Sequence, residues 1–313
     1  MIRPIRILVG GRAARAFSGR DIPVDDVVVQ AVTSYLKETL PNLNVGHDCS
    51  VDSLVRAGDP RLFDLVRDGL ANDTISCCAT WPRTPLENAI FDAVQYLNGD
   101  LLSSLPLGED VKVSGYRLKG ETHMIVAAPL LALKTHNLES YKNHKHELAD
   151  RLSIRASATA QVPVRVIVNA ADDLPNGKGY LTLTGTSAEM ADDGSVGRGN
   201  RPSGLTAPFR PSTTPAAGKN PISHPGKVYN ILAQRMAQAV VDETIGVSEA
   251  RITLFTAIGR PLKTPTLINI AVRTAASSSL QMVRDQIDAL ARRTLDQMDE
   301  VLRSLIRGYP RMY

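Results

Sequence analysis

The chain has 313 residues, 43% of them hydrophobic and 22% charged, which excludes wholesale disorder and at this length points to more than one domain. With 36 basic and 32 acidic residues the formal charge is only +4, too mild to mark a nucleic-acid binder, and aromatics at 4% offer no stacking platform for single strands. No apolar run reaches the roughly 20 residues of a membrane span, residues 1–11 lack the pattern of a signal peptide, and the three cysteines show no zinc spacing, so a cytoplasmic protein without membrane or nucleic-acid partners is expected.

In chain order, Ile5, Ile7 and Val9 alternate and lead into Gly10-Gly11, which predicts a strand ending in a turn. A helix is expected from about Val24, with Val27, Ala31 and Tyr35 on one face and Pro41 ending it. Residues 49–55 alternate again, and Asp59-Pro60 opens a short helix. Over 82–98, Leu86, Ile90, Ala93, Val94 and Leu97 keep helical spacing, and Gly99 is the expected C-cap. Residues 111–118 and 122–128 read as a hairpin turning at Lys119-Gly120.

Asn137 is positioned to cap a helix in which Leu138, Tyr141, Leu148 and Leu152 share a face. Strands are expected at 162–170 and 179–184, flanking Asn176-Gly177. A helix over 227–244, strands at 251–257 and 266–273, and one closing helix over 279–307 complete the pattern. Leu280, Val283, Ile287, Leu290, Met298, Val301 and Leu305 form its core-facing stripe. The whole reads as α+β, with repeated sheet-plus-helix domains and helices on one sheet face. Val164, Val166, Val168, Ile252, Leu254, Ile268 and Ile270 give the sheets an apolar face, either for the internal core or for a second subunit.

Residues 185–222 show neither period, and a stretch that long in a compact domain is either a working loop or a linker. Its content has a direction: Glu189, Asp192 and Asp193 come first, and Arg198, Arg201, Arg210, Lys219 and Lys227 follow. Acids before spaced bases suit a metal-polyphosphate site, in which carboxylates such as Asp192 and Asp193 hold Mg2+ and cations neutralise phosphate oxygens. Gly194, Gly197 and Gly199 would let the backbone approach such a ligand. It is not a Walker loop, because Asn220 follows Gly218-Lys219 where Ser or Thr is required. On composition alone, a solvated Gly/Pro-rich linker accounts for the stretch equally well.

The segment 184–230, with Gly185-Thr186-Ser187-Ala188-Glu189-Met190, Asp192-Asp193-Gly194-Ser195-Val196-Gly197-Arg198-Gly199-Asn200-Arg201, Ala217-Gly218-Lys219-Asn220-Pro221 and Gly226-Lys227-Val228-Tyr229-Asn230, closely resembles archaeal-type S-adenosylmethionine synthetase (methionine adenosyltransferase). Weaker matches fall in order along the rest: 8–13, Ala71-Asn72-Asp73-Thr74, Gly108-Glu109-Asp110-Val111-Lys112-Val113, 169–173 and Ala257-Ile258-Gly259-Arg260-Pro261. The resemblance implies that fold and a transferase in which the sulfur of methionine attacks C5′ of ATP and expels the whole triphosphate, which is then hydrolysed. It implies Mg2+, with K+ as a further ion, and a site between two subunits of a homodimer or hetero-oligomer. By motif position Asp192, Arg198 and Lys219 are the expected catalytic residues, with Asp192 and Asp193 at the metal. Asp73, Asp193, Gly194, Arg198, Arg201, Lys219 and Lys227 are expected at ATP or its triphosphate. Asp73 also suits an ordinary cap or turn, and His224 either lines the site or closes the loop end.

The departures are also specific. The family's upstream Gly-His-Pro-Asp segment has no counterpart, which predicts a partner chain that supplies it. The family's Gly-Tyr-Ala-Pro pattern after Asn72-Asp73-Thr74 is replaced by Ile75-Ser76-Cys77-Cys78-Ala79-Thr80-Trp81-Pro82, and its Gly-Gln-Gly-Ser turn is replaced near Arg56-Ala57-Gly58-Asp59. These differences keep open a non-catalytic nucleotide-binding subunit, or a related adenosyltransferase with another sulfur nucleophile. Two regions are expected: 1–135, corresponding to incomplete N-terminal and central domains, and 136–313, containing the phosphate loop.

Overall fold

The computed structural model describes residues 4–190, 204–206, 212, 216–276 and 278–309. In chain order its strands and helices are β1 (Ile5–Ala13), the short β2 (Ala16–Phe17) and β3 (Arg20–Asp21), α1 (Val24–Thr39), β4 (Cys49–Ala57), α2 (Pro60–Arg67), β5 (Ile75–Trp81), α3 (Pro85–Tyr96), α4 (Leu102–Ser104), β6 (Lys112–Leu118), β7 (Glu121–Ala127), β8 (Leu130–Leu131), α5 (Leu138–Ala160), β9 (Val164–Val168), β10 (Leu181–Thr182), α6 (Pro225–Glu243), β11 (Val247–Thr256), β12 (Leu267–Thr274), α7 (Leu280–Asp296) and α8 (Met298–Ile306). The mixture is α+β. The chain forms two units interleaved in sequence, one from 1–58 and 84–193, the other from 59–83 and 194–313.

In the first unit, β6, β7 and β9 form one sheet, with β6 antiparallel and β9 parallel to β7. Helices α3 and α5 pack on it, and Leu97, Leu101, Met124, Val126, Leu148 and Leu152 are buried in the core between them. The hairpin turns at Lys119 and Gly120, both at positive φ, as the sequence requires. Asn137 caps α5, accepting from the Ser140 N–H at 2.8 Å while Ser140 Oγ accepts from the Asn137 N–H. A separate parallel pair, β1 with β4, carries α1.

Several expectations change here. β1 does not stop at Gly10-Gly11, because all nine of its residues pair in register with β4 through Ala13. Val27, Ala31 and Tyr35 of α1 are exposed, and the half-buried face is instead Val28, Val29, Val32 and Leu36, since valines lie on both sides of the helix and periodicity alone does not choose between them. Gly99 does not cap α3; the chain continues through a π-helical turn, Leu97–Leu101, whose two end leucines are fully buried and draw the helix onward. Strands β9 and β10 do not pair with each other, for β9 adds to β7 and β10 pairs with β8.

The second unit has a sheet in the order β12-β11-β5, all antiparallel. Helix α6 lies on β5 and β11, α7 and α8 pack against α6, and the core is built from Tyr229, Leu232, Met236, Ile252, Leu254 and Val301. The expected single closing helix breaks at Gln297 into α7 and α8, and Leu280 is exposed while the rest of its stripe is buried. Of the apolar strand residues, Val164, Val168, Ile252 and Leu254 are buried in the cores of their own units, and Val166 and Ile270 pack against those cores. Ile268 is 37% exposed.

Candidate functional site

The second unit brings Asp73, Lys219, His224 and Lys227 together from three stretches of sequence. Ala71 N–H donates to the Arg260 carbonyl and Gly259 N–H to the Ala71 carbonyl, both at 2.8 Å, so the segments 71–74 and 257–261 are stitched side by side. The Asn72 N–H reaches the Ser223 carbonyl, which sets the turn carrying Asp73 against the start of α6. Lys219 follows a turn closed by its own N–H on the Ala216 carbonyl, and Asn220 Oδ1 accepts from the Ile222 N–H at 2.8 Å.

His224 is the N-cap of α6. Its Nδ1 accepts from the Gly226 N–H at 3.1 Å, so the neutral ring carries its proton on Nε2, which lies 3.6 Å from Asp73 Oδ2. Burial, with Lys219 and Lys227 nearby, pulls the imidazole below the usual histidine range against the opposing pull of Asp73. It is therefore neutral at pH 7. Pro225 has no N–H, Gly226 is taken by His224, and Lys227 N–H bonds the His224 carbonyl, so the helix start keeps no spare donor in its first three positions. An anion here must be held by side chains.

Those side chains are Lys219 and Lys227, both half-buried, and neither has an ion-pair partner among the described residues. Burial lowers the Lys227 ammonium from the usual lysine value, a cost that an anionic ligand would offset. Asp73 Oδ1 accepts from the Thr74 N–H at 2.7 Å, which is the turn role open from its sequence, and Oδ2 faces His224.

Asp192, Asp193, Gly194, Arg198 and Arg201 lie outside the described residues, as does Arg210. Among the described residues no group of three His, Cys, Asp or Glu side chains is arranged to hold a metal. Glu189 accepts from the N–H groups of Leu183 and Thr184 and from the Thr184 hydroxyl, so it serves the local turn. Sequence reasoning passed over a second polar cluster, in the first unit. There Asp110 Oδ2 accepts from the Ser187 N–H at 2.9 Å and also from its hydroxyl, while Oδ1 pairs with Lys112 Nζ at 2.7 Å. These hydrogen bonds hold the Asp110 carboxyl below the usual range despite its burial. The Gly108-Glu109-Asp110-Val111-Lys112-Val113 motif was its available signal. Beside it Gly108 and Gly185 touch backbone to backbone, and a Cβ on Gly108 would lie 2.4 Å from Gly185 Cα.

Residues 1–309 match the S-adenosylmethionine synthetase (AdoMet synthetase) family. S-adenosylmethionine synthase of Methanoregula boonei is 35% identical over 315 residues, covering 98% of this chain and 79% of that protein. A probable S-adenosylmethionine synthase of Aquifex aeolicus is 34% identical over 316 residues, covering 98% and 78%. Among solved structures, an unusual S-adenosylmethionine synthetase from Campylobacter jejuni superposes with a TM-score of 0.59 at 13% identity, over 94% of this chain and 77% of the other, a likeness of fold. With the motifs in order along the sequence and the match spanning nearly its whole length, the chain belongs to the S-adenosylmethionine synthetase family.

Proposed function

We propose that this methionine adenosyltransferase-type chain forms S-adenosylmethionine from ATP and methionine, and that Lys219 and Lys227 grip the triphosphate. The observation that carries this reading is the pair of half-buried ammonium groups, without ion-pair partners among the described residues, flanking a neutral histidine at a fully capped helix start. In the transfer the C5′–oxygen bond breaks as the carbon–sulfur bond forms, so negative charge grows on the departing triphosphate. Fixed cations at that end lower the barrier most when water is excluded from them. His224 offers an Nε2–H donor and Asp73 a carboxylate at the same place. Of the residues outside those described, Arg198 and Arg201 are proposed to add positive charge, Gly194 to allow close backbone approach, and Asp192 and Asp193 to hold Mg2+. Bound there, Mg2+ would neutralise phosphate charge, with K+ as a further ion.

We place the protein in the cytoplasm, a reading supported by its three cysteines, Cys49, Cys77 and Cys78, none of which is in a disulfide. Among the described residues no helix is long and apolar enough to cross a membrane. We also propose assembly with a second chain, either another copy or one bearing a Gly-His-Pro-Asp segment. The test is incubation with ATP, MgCl2 and methionine, alone and with such a chain, followed by mass detection of S-adenosylmethionine. Product is expected, and Lys219→Ala should lower kcat/KM about 100-fold, the scale for losing one charge-stabilising group. No product under either condition would remove the transfer reaction.

A further inference from the structure

We propose that Ser212 and Asn230 form a clasp that fixes the start of α6, which bears Lys227, at the proposed triphosphate site, an inference that rests on the reading above and adds two positioning residues to it. Among the described residues β5 pairs with β11 on one side and is the last strand of its sheet. At its other edge the Cys78 N–H donates to Ser212 Oγ at 2.9 Å, so a serine side chain stands where a further strand would pair. A hydroxyl has one proton to give, and the geometry assigns it to Asn230 Oδ1 at 2.6 Å in preference to the Cys78 carbonyl at 3.3 Å. Asn230 Nδ2 donates to the Gly226 carbonyl at 2.6 Å, which orients the amide with its oxygen toward the serine.

Both residues are 5% exposed, so each bond is shielded from water and each lost partner leaves a buried polar group unsatisfied. Gly226 adjoins Lys227, and Ser212 precedes Lys219 in the same loop. The clasp thus ties β5, Ser212 and the helix turn bearing Lys227 into a single frame. A cation held by such a frame meets a phosphate chain already in place, with less ordering to be done on binding.

The probe is tripolyphosphate with Mg2+, titrated calorimetrically into the full chain. Ser212→Ala is expected to raise its Kd about fivefold to tenfold, the loss of one buried hydrogen bond. Asn230→Ala should do the same, and the double variant should lose little more than either single one. KM for ATP should rise while KM for methionine holds, a split that simple destabilisation would not produce. An unchanged Kd in folded Ser212→Ala overturns the proposal, as do additive losses. If Asn230→Ala fails to fold, Ser212→Ala decides alone. Lys219→Ala separates the two readings: if it binds tripolyphosphate like the parent chain, the triphosphate site itself is misplaced, whereas if it loses binding and Ser212→Ala does not, only the clasp fails.

Discussion

The proton on His224 has a fixed address, because Nδ1 is occupied as the acceptor that caps α6. Its imidazole is held below the usual histidine value in the folded chain, whereas the unfolded chain titrates near the ordinary value of about 6.5. The unfolded state therefore binds more protons as pH falls through and below that value, and stability declines in that direction while staying level above it. Urea midpoints measured at pH 7.5 and 5.5 should fall further for the parent chain than for His224→Asn, whose short amide keeps the cap without the titration. Equal declines would remove His224 from the pH response. At Gly108 the expectation is steric: alanine would drive its Cβ into the Gly185 backbone, and overpacking of this kind costs roughly 1–3 kcal/mol. Thermal melting of Gly108→Ala checks it. Lys219 and Lys227 were legible in the sequence because their motifs are contiguous. The Ser212–Asn230 link and the tautomer of His224 were not, since each depends on which groups a fold places opposite each other.

Elements whose boundaries are written in local chemistry came through intact. The capping box at Asn137, Asp59 before Pro60 and the Lys119-Gly120 turn each place a boundary with atoms a few residues apart. Asn137→Ala should accordingly cost about 1 kcal/mol, and Leu148→Ala, fully buried on the same helix, about 2–5 kcal/mol, both measured by denaturant unfolding. Strand pairing was less legible because register and partner are tertiary choices. The run Ile75–Trp81 departs from the family motif, yet Ile75, Cys77 and Ala79 form its core face as strand β5. The region 169–180, between two expected strands, is organised around one phenol. Tyr141 Oη accepts from the Tyr180 N–H at 2.9 Å and from Asn169 Nδ2 at 3.1 Å, and donates to Asp172, which also pairs with Lys145. Burial pushes that phenol up to about 12, so it stays protonated throughout the physiological range. A hub assembled from four separate side chains leaves no periodic trace in sequence.

At the scale of the whole molecule, two cores interleaved in one chain predict how it should unfold. Each unit buries its own apolar cluster, and the candidate cations Lys219 and Lys227 both belong to the second. Trp81, the single tryptophan, is in β5 of that same unit, so its fluorescence reports on the second unit while far-ultraviolet dichroism reports on both. A ligand that binds only the folded form stabilises it by RT ln(1 + [L]/Kd), about 2.7 kcal/mol at a hundredfold excess over Kd. Mg-tripolyphosphate is therefore expected to raise the fluorescence midpoint in denaturant. In Lys219→Ala the fluorescence shift should shrink with the lost affinity and the unliganded midpoints should be kept. Coincident transitions that move together would mean that the two units unfold as one, and a fluorescence midpoint indifferent to tripolyphosphate would detach the lysine pair from phosphate altogether.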